Sequence, residues 1–382
     1  MKVLYTSVEI GTEGAKVHIE SFISAFRNIG NDVVENRIHL DPFLDDKSKW
    51  SLLKRIWIKS YWIKKNLIYF FSSCRLIFKN KPDLLLYRYL QNQHFFISVF
   101  VLSLVYPIVL EINAVKSIED PRSVGKISNF IDKLTIKCAK KCFVVSQRVK
   151  DHLVDYLDVP QNKITVVANG VDVHRFNANI SIDRSKDKLN LAGRFVIGFV
   201  GSFKPWHGIE NLIPLMKALV ADYPDLILLV VGDAPERAAY VEKVKDAGLS
   251  KYFMFAGYVQ HEEIPNYIAA MDIALSPHKH DYFNKSGGFH GSPLKIFEYM
   301  AMRKAIIAAP LGQIKDLIIP GITGEQIYAE ETENLKNAVI KMYENEEYRT
   351  LLGVNARQLV EDKYTWKINA EKVQEICESA LI

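Results

Sequence analysis

The sequence predicts an α/β protein made of two Rossmann-like domains that face each other across a cleft. Its 382 residues exceed the roughly 100–200 residues that one core usually organises. Short β-rich runs alternate with helical patterns along the chain, which is typical of parallel sheets with crossover helices. A polar, charged stretch at 177–193 separates two sets of runs and indicates a linker. We expect ligands at the carboxyl ends of the strands.

Each half of the sequence has room for six strands. The runs of the first half are 2–7, 32–37, 83–87, 108–112, 141–145 and 164–167. Those of the second half are 195–200, 226–231, 252–256, 273–275, 305–308 and 324–327. We therefore expect a first domain over 1–180 and a second over 190–363. The last segment, 364–382, has apolar residues near helical spacing and is predicted to pack back on the first domain as a helix.

The composition excludes several classes of protein. Apolar residues make up 49% of the chain and charged residues 24%, which excludes disordered, collagen-like and coiled-coil proteins. The four cysteines form no C-x-x-C pair, so we expect neither a disulfide framework nor a structural zinc, and a reducing compartment fits. The first residues read as a strand with no signal-peptide core. We therefore expect a cytoplasmic protein.

The net charge of +5 is unevenly placed. Residues 47–81 carry ten Lys or Arg and no Asp or Glu, and large aromatic residues are interleaved with them. Cations that meet anionic headgroups, with aromatic rings at the acyl boundary, are typical of a membrane-surface helix. We expect Trp57, Trp62, Lys64 and Lys65 to contact an anionic membrane at its inner face. Alternatives are a solvated helix whose aromatic residues cover the core, and a nucleic-acid contact, for which no other feature of the sequence argues.

A second segment, 89–110, has no charged residue and approaches the roughly 20 apolar residues of a membrane span. Polar residues open this segment and Pro107 divides it. A buried helix over about 93–104 and a buried strand over about 107–113 are therefore favoured over a span.

Glycine-containing turns follow several predicted strands. Gly14 lies before an amphipathic helix, where a glycine lets the backbone approach a phosphate, although a plain strand-to-helix turn is an equal alternative. The stretch 198–208 joins small residues and a cation, and it precedes a helix expected at 210–222. These are the parts that hold a diphosphate. The candidate residues here are Gly201, Ser202, Lys204 and His207.

A later glycine-containing loop, 287–294, enters another predicted helix. Backbone N–H groups at Gly291, Ser292 and Leu294 can receive phosphate oxygens, and Lys295 adds positive charge. Glu298 can accept two hydroxyl hydrogen bonds from a ribose, or it is a plain helix-face carboxylate. No complete G-x-G-x-x-G with a following acidic residue occurs, so a nicotinamide site is not indicated. No Asp-x-Asp or His cluster suggests a metal.

Together these segments resemble the family 4 glycosyltransferases of the GT-B fold, which are retaining enzymes that use nucleotide sugars. The resemblance covers essentially the whole chain. Besides the 201–208 loop, its elements are Gly-Ala-Lys-Val-His at 14–18, Val-Ser at 145–146, Asn-Gly-Val-Asp-Val-His-Arg-Phe at 169–176, Val-Gly-Asp-Ala-Pro-Glu at 231–236, Ala-Gly-Tyr-Val at 256–259 and Ser-Pro-Leu-Lys-Ile-Phe-Glu-Tyr-Met-Ala at 292–301.

The resemblance implies roles for residues of the second domain. Glu298 corresponds to the family's ribose-binding glutamate, the second of an E-x7-E pair, and the backbone at Tyr258 and Val259 meets the nucleobase. The loops at Gly14, 201–204 and 291–294 surround the diphosphate.

The chain departs from the family pattern at several positions. His290 stands where the family usually has the first glutamate of the pair, and Asn113 stands where many relatives place a histidine that contacts the donor sugar. Ser202 and His207 replace the usual Arg and Lys, which leaves Lys204 and Lys295 as the cations. Asn113, His290 and Lys204 thus occupy the implied catalytic positions.

The resemblance implies a hexosyltransferase with an acceptor-side first domain and a donor-binding second domain. A UDP- or GDP-sugar would donate a hexose-type residue to a hydroxyl of a lipid-linked glycan in surface polysaccharide or glycoconjugate biosynthesis. No side-chain base is required, because the leaving phosphate can take the acceptor proton. No metal or other cofactor is expected, since the sequence has no Asp-x-Asp or His cluster. Two alternatives stay open: a catalytically inactive relative that binds a nucleotide sugar or glycan, and a nucleotide-sugar epimerase.

Overall fold

The computed structural model describes residues 1–9, 13–39, 52–89, 95–113, 116–119, 124–285 and 288–382. The chain forms two compact units. The first unit comprises residues 1–169, 290–292 and 366–382, and the second comprises 170–289 and 293–365. Residues 170–180, which the sequence analysis placed with the first domain, thus belong to the second unit.

The first unit is built on a six-stranded, fully parallel sheet with the strand order β2-β1-β3-β4-β5-β6. In the register of its centre, Val3 pairs with both Val33 and Leu84. The central strands are buried along their whole length, which is the reason that they read as continuous apolar runs. The strands are β1 (Lys2–Glu9), β2 (Asp32–His39), β3 (Leu84–Tyr89), β4 (Ile108–Ile112), β5 (Lys141–Val144) and β6 (Ile164–Val166).

Helices pack against this sheet, and the first of them shows why. In the first helix, Ile19, Phe22, Ile23 and Phe26 recur at helical spacing and are buried. The C-terminal helix packs against that helix and against β4 and β5. The helices of the unit are α1 (Glu13–Asn28), α2 (Leu52–Asn80), α3 (Phe96–Leu102), α4 (Lys116–Glu119), α5 (Lys126–Cys138), α6 (Gln147–Asp155) and, from the chain's end, α16 (Trp366–Leu381).

The second unit has its own six-stranded parallel sheet, with the order β12-β11-β10-β7-β8-β9. The strands are β7 (Phe195–Val200), β8 (Leu226–Val231), β9 (Phe253–Gly257), β10 (Ile273–Ser276), β11 (Ala305–Ala308) and β12 (Glu325–Gln326). The helices are α7 (Ile182–Lys188), α8 (Leu212–Leu219), α9 (Arg237–Asp246), α10 (Ile264–Ala269), α11 (His280–Lys285), α12 (Leu294–Ala301), α13 (Ile314–Leu317), α14 (Thr332–Glu344) and α15 (Glu346–Lys363).

The predicted α/β architecture is confirmed, and all twelve strands lie within two residues of their predicted bounds. Three local predictions differ from the structure. The stretch 177–193, predicted as a linker, contains α7, which packs on α10. Its charged residues looked like a linker because they lie on an exposed helix face. The helix expected at 210–222 is shorter, since a 3₁₀ turn at Ile209–Asn211 precedes α8.

The uncharged segment 89–110 gives the third difference. Within it, α3 is not fully buried: Phe100 and Val101 are exposed, and so are Leu104 and Val105 in the following turn. The absence of charged residues from this segment therefore did not correctly predict that its helix is buried. Among the described residues, no helix is long and apolar enough to span a membrane.

Helix α2 covers residues 52–80 of the basic, aromatic segment. The side chains of Trp57 and Trp62 lie outside the described residues, whereas Lys64 is exposed and Lys65 half-buried.

Candidate functional site

The carboxyl edge of the second sheet collects the candidate donor-binding residues of that unit. Gly201 follows β7 directly, Tyr258 follows β9, and His278 lies two residues beyond the end of β10. Because all strands of this sheet are parallel, these segments leave it at one edge. Lys295 and Glu298 lie on α12, which begins at Leu294.

The ammonium group of Lys295 is buried at this edge and has no hydrogen-bond partner among the described residues. It lies 4.3 Å from the centre of the Phe199 ring. A Cβ atom added at Gly201 would lie 2.7 Å from Nζ, and the φ of Gly201 is +149°, so only glycine suits that position. Burial lowers the pKa of Lys295 to about 7, although the nearby Glu298 carboxylate opposes this shift. An anion placed here would supply the missing partner.

Two histidines close to Lys295 are neutral at neutral pH. Burial, together with Lys295 and His278, lowers the pKa of His207 to about 2. Burial and Lys295 lower that of His278 to about 3. Since His207 is neutral, its Nδ1–H donates to the Ser202 carbonyl oxygen at 2.6 Å and so holds the turn after β7. His207 therefore shapes the loop without adding positive charge.

Glu298 is almost fully buried, with 10% of its side chain exposed. Its Oε1 lies 2.8 Å from Nε2 of His261. The His261 ring packs against Phe176 with 5.4 Å between ring centroids, and its Nδ1 lies 3.0 Å from an Arg175 guanidinium nitrogen. The carboxylate of Glu298 is therefore part of a polar chain and not a plain helix-face group.

The other candidates of this unit lie around the same edge. Lys204, the residue before the 3₁₀ turn Pro205–His207, is half-buried. Tyr258 is exposed and Val259 half-buried, directly after β9. Leu294, half-buried, is the first residue of α12.

The first unit contains a buried carboxylate, Glu111, one residue before the end of β4. Its Oε2 accepts a hydrogen bond from the Tyr5 hydroxyl at 2.7 Å. Its Oε1 lies 2.7 Å from Nε2 of His18 and 3.3 Å from Nε of Arg88. Burial favours the neutral acid, but His18, Arg88 and the Tyr5 hydrogen bond outweigh it and lower the pKa of Glu111 to about 2.

This ionised carboxylate fixes the side-chain amide of Asn113. An ionised carboxylate only accepts hydrogen bonds, so Asn113 presents its Nδ2 group to Glu111 Oε1 at 2.8 Å. The Oδ1 atom of Asn113 then points away from Glu111. It is buried and has no hydrogen-bond partner among the residues described. Asn113 therefore offers an acceptor for a hydroxyl group just after β4.

Three further candidates, His290, Gly291 and Ser292, pack within the first unit. The Ser146 hydroxyl donates to the His290 carbonyl oxygen at 2.6 Å. The Asn169 side-chain amide donates to the Ser292 carbonyl oxygen at 2.7 Å, and the Asn169 N–H donates to the Ser292 hydroxyl. Gly14 is exposed in the first turn of α1.

Sequence reasoning missed Glu111, Arg88 and His261. A signal for Glu111 existed, because it is a charged residue within an apolar strand, and such a residue is buried only when it is paired. Arg88 occupies the same kind of position in β3. No local pattern marks His261, which lies in a surface turn between β9 and α10.

Two family models match the chain. One, described as glycosyl transferases group 1, matches residues 181–359. The other, described as glycosyltransferase family 4, matches residues 13–175. This chain belongs to glycosyltransferase family 4. The family predicted from the sequence is thus confirmed.

Curated relatives match over part of their length. An uncharacterised glycosyltransferase of Methanocaldococcus jannaschii is 26% identical over 66% of this chain and 63% of its own. A GDP-mannose-dependent monoacylated α-(1-6)-phosphatidylinositol monomannoside mannosyltransferase of Corynebacterium glutamicum is 26% identical over 55% of each chain. The chain therefore spans about half to two thirds of the length of these relatives.

A solved structure matches along the whole chain. Anabaena Alr3699/HepE, crystallised in complex with UDP, has a TM-score of 0.74 and 17% identity, and the match covers 99% of this chain and 100% of that one. At this identity the likeness shows the fold, which is GT-B.

Proposed function

We propose that this protein transfers a hexose-type residue from a UDP- or GDP-sugar to a hydroxyl of a lipid-linked glycan, with retention of the anomeric configuration. The observation that carries the proposal is the buried ammonium of Lys295, which has no hydrogen-bond partner in the described ranges and lies beside Gly201 at the carboxyl edge of a parallel sheet. Membership of glycosyltransferase family 4 supports a nucleotide sugar as the donor, as does the UDP bound to Anabaena Alr3699/HepE.

In the proposed reaction, the bond between the anomeric carbon and the diphosphate oxygen breaks as the acceptor oxygen attacks. The acceptor proton passes to an oxygen of the leaving phosphate. The second negative charge that develops there needs preorganised donors. Lys295, Lys204 and backbone N–H groups of the turn after β7 would supply them, and no metal is included in the proposal. Glu298 would accept hydrogen bonds from the ribose, next to a nucleobase at Tyr258 and Val259.

Asn113 is proposed to contact the donor sugar. Its Oδ1 is an oriented acceptor that has no partner within the described part of the chain, which suits a sugar hydroxyl as hydrogen-bond donor. A histidine at the same place could donate or accept, according to its tautomer, whereas Asn113 held by Glu111 only accepts. An asparagine in place of the histidine would therefore keep the contact with the donor sugar. It would favour sugars whose hydroxyl is placed to donate to Oδ1.

A membrane-bound acceptor is supported by the surface of the first unit. Exposed apolar side chains of α2 and of the turn after α3, including Phe78, Leu104 and Val105, accompany the cations Lys79 and Lys81. Apolar groups beside cations are complementary to an anionic bilayer. The Corynebacterium relative, a monoacylated phosphatidylinositol monomannoside mannosyltransferase by name, agrees with a lipid acceptor.

The reaction is tested with a panel of UDP- and GDP-sugars, each incubated with and without membrane extract while nucleotide release is followed. The proposal expects nucleoside diphosphate release that depends on the extract, and loss of donor affinity in Glu298→Ala. Product formed from the donor alone would indicate an epimerase instead. Nucleotide binding without turnover under any condition would indicate an inactive relative.

Membrane contact is tested by flotation with anionic and neutral liposomes. A variant with Trp57 and Trp62 changed to Ser and Lys64 and Lys65 to Glu should lose flotation with anionic vesicles, as should Leu104→Ser/Val105→Ser. A matched control, Ile322→Ser/Leu351→Ser, removes two exposed apolar side chains of the second unit and should float as the wild type does. Unchanged flotation of the first two variants would contradict the proposed surface.

A further inference from the structure

A chain of three side chains in the second unit ends at Glu298. A guanidinium nitrogen of Arg175 lies 3.0 Å from Nδ1 of His261, and Nε2 of His261 lies 2.8 Å from Oε1 of Glu298. Arg175 belongs to the segment 169–176, one of the family motifs of the sequence, for which the proposed reaction gives no role.

The chemistry of the three groups fixes the direction of both hydrogen bonds. A guanidinium has only donors, so it must donate to Nδ1 of His261. The imidazole is therefore the neutral tautomer with its hydrogen on Nε2, and that hydrogen is donated to Glu298 Oε1. A ring with the hydrogen on Nδ1 would instead turn a lone pair toward the carboxylate. Glu298 and Arg175 thus favour the same tautomer, and Arg175 keeps hydrogen off Nδ1.

The segment that carries Arg175 is itself held in place. Oδ1 of Asp172 accepts the backbone N–H groups of residues 174 and 175, at 2.9 and 3.1 Å. Arg357 donates to the Phe176 carbonyl oxygen at 2.8 Å, and the Phe176 ring supports His261. A support of this kind limits the carboxylate to one orientation before a ligand arrives.

We propose that His261 is a positioning residue that orients the Glu298 carboxylate for the two hydroxyls of the nucleoside ribose, and that Arg175 keeps hydrogen off Nδ1 of His261. This inference rests on the proposed function, because it takes a ribonucleoside diphosphate as the ligand. Oε2 and the remaining lone pair of Oε1 stay available to the ribose hydroxyls.

The experiment compares affinities for UDP and 2′-deoxy-UDP, or for GDP and 2′-deoxy-GDP if the wild type binds GDP. The variants are Glu298→Gln, His261→Leu, His261→Gln and Arg175→Met, and His174→Leu on the same segment is the matched control. His261→Leu should weaken ribonucleotide binding about tenfold and remove most of the preference for ribose, since a hydrogen bond to a charged group is lost. His261→Gln can keep both hydrogen bonds and should retain the preference.

The ¹⁵N spectrum of histidine-labelled protein provides a readout that does not depend on nucleotide. The signals of His261, identified by their loss in His261→Gln, should show hydrogen on Nε2 in the wild type. In Arg175→Met no donor faces Nδ1, so the Nδ1 signal should show added hydrogen while Nε2 keeps the hydrogen that it donates to Glu298.

The outcomes separate this inference from the function on which it rests. If Glu298→Gln loses the preference for ribose while His261→Leu keeps it, the positioning role is wrong and the proposed function stands. If the wild type binds neither nucleotide, the proposed function is wrong, and the ribose role with it. If His261→Leu does not fold, two other results can overturn the inference. One is hydrogen on Nδ1 instead of Nε2 in the wild-type spectrum, and the other is loss of the preference for ribose in His261→Gln.

Discussion

Replacement of Glu111 by Gln tests whether the first unit depends on a buried, ionised carboxylate. The substitution keeps the shape of the side chain and removes its charge, so His18 and Arg88 lose their shared partner. Asn113 also loses the acceptor-only group that fixes its amide. Stability and the orientation of a proposed sugar contact should therefore both be affected.

The magnitude follows from the pKa of Glu111. It falls from an ordinary value of 4.5 to about 2 in the folded protein. Each pKa unit is worth about 1.4 kcal/mol, so the ionised form contributes about 3 kcal/mol to folding at pH 7. Removal of one partner from a buried ion pair costs about 3–5 kcal/mol, which agrees. Because the folded pKa is depressed, this stability is complete above the unfolded pKa and is lost as the pH falls toward 2. At pH 3.5 about 2 kcal/mol should remain.

Urea unfolding of the wild type and Glu111→Gln at pH 7 and pH 3.5 measures this contribution. The control is Glu242→Gln on α9, whose side chain is 65% exposed and lies 3.6 Å from Lys245. It should change the free energy of unfolding by less than about 0.5 kcal/mol. A difference below about 1 kcal/mol for Glu111→Gln at pH 7, or one that grows as the pH falls, would refute the reasoning.

Three further predictions concern the second unit. Wild-type affinity for a nucleoside diphosphate should fall roughly tenfold between pH 7 and pH 8.5 as Lys295 loses its proton, and calorimetric titration of Lys295→Met should show weaker, pH-independent binding. EDTA should leave the rate of sugar transfer unchanged in a nucleotide-release assay. A rate that EDTA lowers and only added Mg²⁺ restores would contradict the metal-free proposal. Gly208→Ala should cost about 2–4 kcal/mol in urea unfolding, because φ is +64° and a Cβ atom would lie 2.0 Å from the Pro277 carbonyl oxygen. Gly193→Ala, with φ +69° and open space around it, should cost only about 1 kcal/mol, and equal costs would show that the contact with Pro277 has no effect.

The strands could be predicted because burial on both faces leaves a simple sequence signal. Residues Leu226–Val231 read Leu-Ile-Leu-Leu-Val-Val, and every one of them is buried in β8. The exposed face of α3 could not be predicted from the same kind of signal. Its apolar residues look like core residues until the structure leaves Phe100 and Val101 in solvent.

The candidate site was predictable where backbone turns define it and unpredictable where side chains pair over long distances. Gly201 stood in a recognisable loop, and Lys295 and Glu298 stood in the first turns of a helix that follows another such loop. The pairing of His261 with Glu298 joins residues 37 positions apart, and that of His18 with Glu111 joins residues 93 apart. No local spacing encodes these contacts, because tertiary packing alone brings the groups together. The neutrality of His207 likewise results from burial that only the fold creates.

The central claim is that a nucleoside diphosphate binds at the carboxyl edge of the second sheet. Hydrogen exchange of the full-length protein, measured by mass spectrometry with and without saturating UDP or GDP, tests it most directly. We expect slower exchange in peptides covering 201–208 and 294–298, and unchanged exchange at 249–252, which precede β9 at the opposite edge. Nucleotide binding that leaves 201–208 unchanged, or that slows exchange at 249–252 instead, would contradict it.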